Sequence, residues 1–293
     1  MPRVSLVNGD DRRGNIRRSL ELVSDEIRRG LRSRRVVIKP NFVSTSVQLA
    51  SSHADQIRGI LDFLRGFYTG RVVVAEAACG DTMEAYGNFG YFSLVREYGI
   101  ELIDLNRGPF EYLSIKDRRG RTLSVRVSSL LLDSDNYLVS AARLKTHDTV
   151  VVTLSIKNAV MGGIYAGDRA LVHQGVRRIN LNISEIAGRI WPDLSVIDGF
   201  EGMEGDGPVH GTPVSTGIAI SGTDPLAVDR VACEVMGVDF ARVGYLQYCF
   251  ERGLGEGDLR RIEIVGQRIS DCARPFRLHG SVEEQYRWRE GLR

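Results

Sequence analysis

The chain has 293 residues, 43% hydrophobic and 26% charged, which excludes disordered, collagen-like and fibrous classes. Its length admits one large α/β domain or two of moderate size, and roughly three quarters of the unfolded surface can then be buried without help from metal or disulfide. With 39 basic and 37 acidic residues, a net +2, overall charge marks no nucleic-acid or membrane partner, so any basic site must be local.

Cys79, Cys233, Cys249 and Cys272 lie far apart, without the two-residue gap of zinc or iron–sulfur ligands. They read as structural thiols, and no iron–sulfur cluster is expected within this chain. The first 14 residues are polar and arginine-rich, and nowhere do 18 apolar residues run together. Both features point to a cytoplasmic, reducing compartment. Lysine occurs only at Lys39, Lys116, Lys145 and Lys157, so 39 − 4 leaves 35 arginines. Arginine cannot serve where a compact ammonium, or one able to lose its proton, is required. The few lysines are therefore informative one by one.

In chain order, Val4 to Val7 predicts a strand, and Asn15 a cap for a helix with Ile16, Leu20, Val23 and Ile27 on one face. Val36 to Ile38 is a buried strand, Asp55 to Tyr68 a helix, Val72 to Ala75 a strand, Thr82 to Tyr98 a broken helix and Glu101 to Leu105 a strand. This alternation predicts a mostly parallel sheet with helices on both faces. Tyr112 to Ile115 and Leu123 to Val127 predict an antiparallel hairpin inserted at about 110–130, turning at Lys116 to Arg121. Tyr137 to Ala142 reads as a strand, Val150 to Val160 as helix or strand, and Arg177 to Ile190 as a helix ending before Pro192. Leu194 to Ile197 and Gly217 to Ile220 are short strands, Asp224 to Met236 a helix, and Ile262 to Val265 a last strand. The expectation is a single α/β domain over 1–270 with a polar C-terminal extension over 271–293.

Several strings could carry chemistry. Lys39-Pro40-Asn41 follows a buried strand, and in an open α/β sheet ligands bind beyond the carboxyl ends of the strands. Either Lys39 reaches over that crevice or it snorkels at the rim. Glu76 ends the next strand, where a carboxylate suits metal binding or acid/base work. Lys145-Thr146-His147-Asp148 gathers anion-binding and proton-transfer groups in what reads as one turn. Ser155-Ile156-Lys157-Asn158 precedes Gly162-Gly163, glycines that permit close backbone approach to a ligand. From Asp198 to Pro208, Asp198, Glu201, Glu204 and Asp206 alternate with glycines, either a flexible acidic turn or a cradle for a hard divalent cation. Asp224 caps the helix that begins at Pro225, and Asp229 one turn on could face the crevice. Walker, Gly-x-Gly-x-x-Gly, nucleophile-elbow and His-Glu-x-x-His signatures are missing, which demotes nucleotide hydrolysis, classical dinucleotide binding, esterase and zincin chemistry.

Val37-Ile38-Lys39-Pro40-Asn41, Leu144-Lys145-Thr146-His147, Ser155-Ile156-Lys157-Asn158, Asp198-Gly199 with Gly202 to Pro208, and Thr223-Asp224-Pro225 to Asp229 follow one another in this order. Together they resemble the prokaryotic family catalogued as "domain of unknown function 362", over roughly residues 34 to 240. The resemblance implies a cytoplasmic α/β protein, often with a ferredoxin-like cysteine-rich segment attached. This chain departs from that arrangement in its cysteine spacing.

The resulting expectation is an enzyme that binds a small anionic metabolite, a carboxylate or phosphate. Lys145, His147 and Lys157 are its catalytic candidates, and Lys39, Asn41, Asn158, Gly162 and Gly163 its ligand-binding candidates. Glu76, Asp198, Glu204 and Asp206 would hold magnesium or manganese. The alternatives are a redox protein served by a separate ferredoxin-like partner and a non-catalytic binding module. Neither nucleic acid nor membrane is expected as a partner.

Overall fold

The structure, a computed structural model, describes residues 1–290. It runs through β1 (Arg3–Asn8), α1 (Arg12–Leu22), α2 (Ser24–Leu31), β2 (Arg35–Lys39), α3 (Ala54–Arg65), β3 (Val72–Glu76), α4 (Thr82–Asn88), α5 (Phe92–Tyr98) and β4 (Glu101–Asp104). The hairpin β5 (Phe110–Lys116) and β6 (Thr122–Ser128) follows, then α6 (Ser129–Leu132), β7 (Asn136–His147), β8 (Val151–Thr153), α7 (Ser155–Gly163), α8 (Arg169–Val172) and α9 (Val176–Ala187). β9 (Leu194–Glu204), β10 (Thr212–Gly222), α10 (Pro225–Val235), α11 (Gly244–Glu251) and β11 (Glu263–Gly266) complete the main elements.

The principal sheet has the order β11-β1-β10-β9-β7-β2-β3-β4, with β8 pairing against β7. Pairs β1–β11, β2–β3, β3–β4, β2–β7 and β7–β9 are parallel, whereas β1–β10, β9–β10 and β7–β8 are antiparallel. The β5–β6 hairpin forms a separate two-stranded sheet. Successive strand residues point to opposite faces. Val36 and Ile38 thus pack with Ile16, Leu20, Ile57 and Ile60 of α1 and α3. Val37 belongs instead to the opposite core, with Ile156, Ile183 and Val231 of α7, α9 and α10. The α/β architecture and inserted hairpin are those the alternation predicts.

Local assignments differ in three places. Asp11, not Asn15, caps α1, accepting from the Arg13 and Gly14 amides. Asn15 lies buried inside the helix, its Nδ2 donating to Gly9 O at 3.0 Å and Gly217 O at 2.8 Å. Secondly, β7 does not end at Ala142: Lys145, Thr146 and His147 continue it and pair with β8. Thirdly, Asp198 to Glu204 is not a flexible turn but the second half of β9, paired with β10. Its glycines serve close packing, since a Cβ on Gly202 would lie 2.9 Å from Leu144 O and 2.8 Å from the Phe276 ring.

The C-terminal segment packs onto the domain. Phe276, Gln285 and Trp288 are buried, and Gln285 Oε1 accepts from the Val151 amide at 2.5 Å. Residues 291–293 of the expected extension lie outside the described residues.

Candidate functional site

The carboxyl ends of β2, β3 and β7 share one rim because those strands are parallel neighbours. The register sets Lys39 opposite Ser140, so β7 runs seven residues beyond β2 before ending at His147. This overhang, the first turns of α7 and the residues after β2 and β3 enclose a cavity of about 260 Å³. That lies near the lower end of the roughly 300–1,000 Å³ typical of small-molecule pockets. Asn41, Phe42 and Glu76 line it from the strand ends, Lys145 and His147 from the overhang, and Lys157, Asn158 and Gly162 from α7. Arg169, Cys79, Asp148 and His173 complete its polar wall, with Pro208 from the β9–β10 turn.

The three motif lysines have different surroundings. Lys39 is sealed from solvent and its Nζ donates to Glu76 Oε2 at 2.6 Å, Pro40 O at 2.6 Å and Asn158 Oδ1 at 3.3 Å. A lysine ammonium has three protons to donate, so Lys39 is saturated. Burial, opposed by Glu76, lowers its pKa. Gly162 permits this contact, because a Cβ there would lie 2.0 Å from Lys39 Cε and 2.1 Å from Nζ. Lys145 is also sealed, donating to Ala50 O at 2.6 Å and Pro208 O at 3.4 Å. It ties the segment after β2 to the β9–β10 turn. Burial, then the charges of Lys157 and Arg143, hold its pKa well below the ordinary lysine value.

Lys157 differs from both. It is 7% exposed and lines the cavity, and among the described residues its Nζ makes no hydrogen bond or ion pair. Burial, reinforced by Arg169 and opposed by Asp148, lowers its pKa to about 8. Its backbone is held firmly. The buried Asp229 carboxylate, reaching across from α10, accepts from the Ser155 amide at 2.8 Å, Ser155 Oγ at 2.6 Å and the Ile156 amide at 3.0 Å. Those amides belong to the orphan donors of the α7 N-terminus. Asp229 therefore caps α7 from outside the helix and does not face the crevice.

His147 accepts from the Thr149 amide at its Nδ1, 3.0 Å away, which leaves the proton of the neutral ring on Nε2. Burial first, then Lys157, pushes its pKa down to about 3. Asp148 Oδ1 stands 3.0 Å from the same Nδ1 and would form an ion pair only with a protonated ring. His147 is thus a neutral hydrogen-bond donor near pH 7.

Asn158 links the site, accepting from Lys39 and from Asn41 Nδ2 (3.1 Å) while donating to Lys39 O (3.2 Å) and Ser140 Oγ (3.0 Å). Among the described residues Asn41 Oδ1 is buried without a partner. Gly163 faces away from the cavity, its Cβ position 2.8 Å from Ile190 Cδ1 and 3.2 Å from Leu131 Cδ1.

The carboxylates expected to hold a metal do not converge. Glu76 is paired with Lys39. Asp198 meets Arg12 at 3.1 Å. Glu204 accepts from the Arg277 amide at 2.9 Å, and Asp206 is largely exposed, 3.9 Å from His279. Among the described residues no three His, Cys, Asp or Glu side chains come together as a metal-binding group. The acidic segment does approach the lysines, but through the Pro208 carbonyl.

Arg169 is the residue the motifs did not single out. Its Nε donates to Ile164 O at 3.2 Å, Nη1 to Cys79 Sγ at 3.0 Å and Nη2 to Ala77 O, so among the described residues its charge meets two carbonyls and a sulfur and no carboxylate. One arginine among 35 carries no mark in sequence. Its only signal is its place shortly after Gly162-Gly163.

Comparison with known proteins places this geometry in context. The family model described as "Domain of unknown function (DUF362)" matches residues 36–234, which include all of β2 but its first residue, β3, β7, α7 and Arg169. The chain is 28% identical over 169 residues to "Thylakoid-associated protein sll1697" of Synechocystis sp. (strain ATCC 27184 / PCC 6803 / Kazusa). The alignment covers 57% of this chain and 51% of that protein, so the chain spans about half the length of this curated relative. Among the described residues no helix is long and apolar enough to cross a membrane.

Proposed function

The chain belongs to the family described as "Domain of unknown function (DUF362)", and for this member we propose an enzyme that binds a small anionic metabolite, a carboxylate or phosphate, in the crevice beyond β2, β3 and β7. One observation carries the reading: Lys157 and Arg169 both line a cavity of about 260 Å³, and among the described residues neither has a carboxylate bonded to it. Cations with donors to spare, held in a partly desolvated pocket, favour an anion more than they would in water. His147 adds a neutral N–H donor, and Phe42 and Met161 supply apolar wall. Lys39 and Lys145 act as girders, their ammonium groups fixing Glu76, Asn158 and the covering loops. Four free thiols support a reducing, cytoplasmic setting.

Calorimetric titration with inorganic phosphate, acetate and malonate tests the proposal. At least one should bind the wild type, and Arg169→Met should weaken it by about tenfold or more, about 1.4 kcal/mol. Lys116→Arg, altering a lysine whose Nζ donates to Thr122 Oγ1 on the exposed hairpin, should leave binding unchanged. Equal affinities in wild type and Arg169→Met would remove the anion from this cavity.

A further inference from the structure

We propose that Lys157 is an amine nucleophile that condenses with the carbonyl group of a small 2-oxo carboxylate. The inference rests on the anion-binding reading above and adds what the metabolite must carry besides its charge.

The argument starts from the division of labour among the lysines. Lys39 has three acceptors around its Nζ and Lys145 has two backbone carbonyls, which occupy the protons that a nucleophile must release. Lys157 is buried to nine-tenths, lines the cavity and, among the described residues, has no acceptor. Burial strengthens an ion pair once it is made but also makes the ammonium easier to deprotonate, so Lys157 offers the site more than a fixed charge. The same burial supplies a free amine near neutral pH. The charged and titratable groups around the cavity are Arg169, Asp148, Lys145, Glu76, Cys79, His147 and His173. Arg169 disfavours the ammonium form of Lys157 and Asp148 favours it, with burial outweighing both.

The rest of the cavity suits the electrophile. Arg169 has five N–H donors, of which three are engaged; the remaining two can meet a carboxylate. His147 offers Nε2–H to a carbonyl oxygen, a donor that polarises the carbonyl without ionising. Arg169 and His147 both share the cavity with Lys157. Asp229 and Asn158 hold the first turn of α7, so the amine approaches from a fixed backbone.

The chemistry balances without an oxidant or reductant. The neutral Nζ donates its pair to the carbonyl carbon, forming a C–N bond while the C=O π pair moves to oxygen. One Nζ proton passes to that oxygen, giving a carbinolamine. A solvent proton then converts the hydroxyl to departing water, the C–O bond breaks, and a protonated imine remains. Such an imine draws electrons from the adjacent carbon, which is the basis of proton abstraction or carbon–carbon cleavage beside the carbonyl.

The test uses glyoxylate and pyruvate as probes, with cyanoborohydride to reduce any imine to a stable secondary amine, followed by peptide mass mapping. With only four lysines in the chain, each site is read separately. Labelling at Lys157 is expected to exceed that at Lys116, on the separate β5–β6 hairpin, by at least about tenfold near pH 7.5, and to vanish in Lys157→Arg without transfer to Lys39 or Lys145. Thermal midpoints of both proteins verify folding. Lactate, which keeps the carboxylate but lacks the carbonyl, should slow the labelling. Should lactate or pyruvate bind calorimetrically while Lys157 is labelled no faster than Lys116, the nucleophile is overturned and the anion site stands. If neither probe labels Lys157 and no anion binds, both readings fail.

Discussion

Lys39 Nζ lies 2.6 Å from Glu76 Oε2, with the two side chains 0% and 2% exposed. The pair joins the ends of β2 and β3 beneath α7. Removing one partner of a buried ion pair leaves a charge with no solvent to receive it, at a cost of about 3–5 kcal/mol, whereas replacing both by apolar groups is often neutral. Lys39→Met and Glu76→Gln should each lower stability in urea unfolding. The double variant Lys39→Met/Glu76→Leu should recover most of the loss. A double variant no more stable than the worse single one would show that the pair does more than compensate charge.

Gly162 lets α7 close over that pair. Alanine is ordinarily preferred to glycine in a helix by about 1 kcal/mol, but here its Cβ would lie 2.0 Å from Lys39 Cε. Overpacking of this kind costs about 1–3 kcal/mol. Gly162→Ala should therefore destabilise the wild type yet stabilise a Lys39→Ala background. Stabilisation in both backgrounds would show that Lys39 can move aside.

Acid should act through His147. With its folded pKa pushed down to about 3 and an unfolded value near 6.5, the unfolded chain binds more protons between these limits. Stability therefore rises with pH across this window, is complete above about 6.5 and is lost as pH falls toward 3. The difference in unfolding free energy between wild type and His147→Asn, measured from pH 4 to 7, isolates this slope. A His147 resonance titrating near 6.5 by NMR would contradict the neutral ring.

Asp229 should show the opposite slope. Burial pushes its carboxyl up to about 7, against the hydrogen bonds from Ser155 and Ile156 that favour the carboxylate. Its folded pKa thus exceeds the unfolded value near 3.9, and the associated stability is full below about 3.9 and lost as pH rises to about 7. Asp229→Asn should remove that decline while keeping a capping acceptor, whereas Asp229→Ala should cost about 0.5–2 kcal/mol in capping at low pH. The same pH slope in wild type and variant would assign the titration elsewhere.

Magnesium and manganese should leave the thermal midpoint unchanged, because Glu76, Asp198, Glu204 and Asp206 are separately disposed. Calorimetric heats with either ion should match between wild type and Asp206→Ala. A heat abolished by that substitution would assign Asp206 a metal role.

The sequence by itself determined the layered sheet, the hairpin, the order of the motif strings and the four lysines. These rest on local periodicity, on breakers such as Pro192 and on composition, all of which act within a few residues. It also placed Lys39, Glu76, Lys145 and Asp198 just past strand ends; parallel pairing gathered the first three at one rim, while Asp198 lies inside β9 against Arg12. Only the tertiary structure decided which lysine is free. Lys39, Lys145 and Lys157 look alike in sequence, and their difference lies in acceptors contributed by Glu76, Ala50 and Pro208, up to 63 and 95 residues away from Lys145. Strand pairing at long range likewise turned Lys145 to His147 and Asp198 to Glu204 from turns into strands, since β7 and β9 continue wherever β8 and β10 supply partners. Arg169 entered the site for the same reason: its charge matters because of what it does not meet, a property of the assembled cavity.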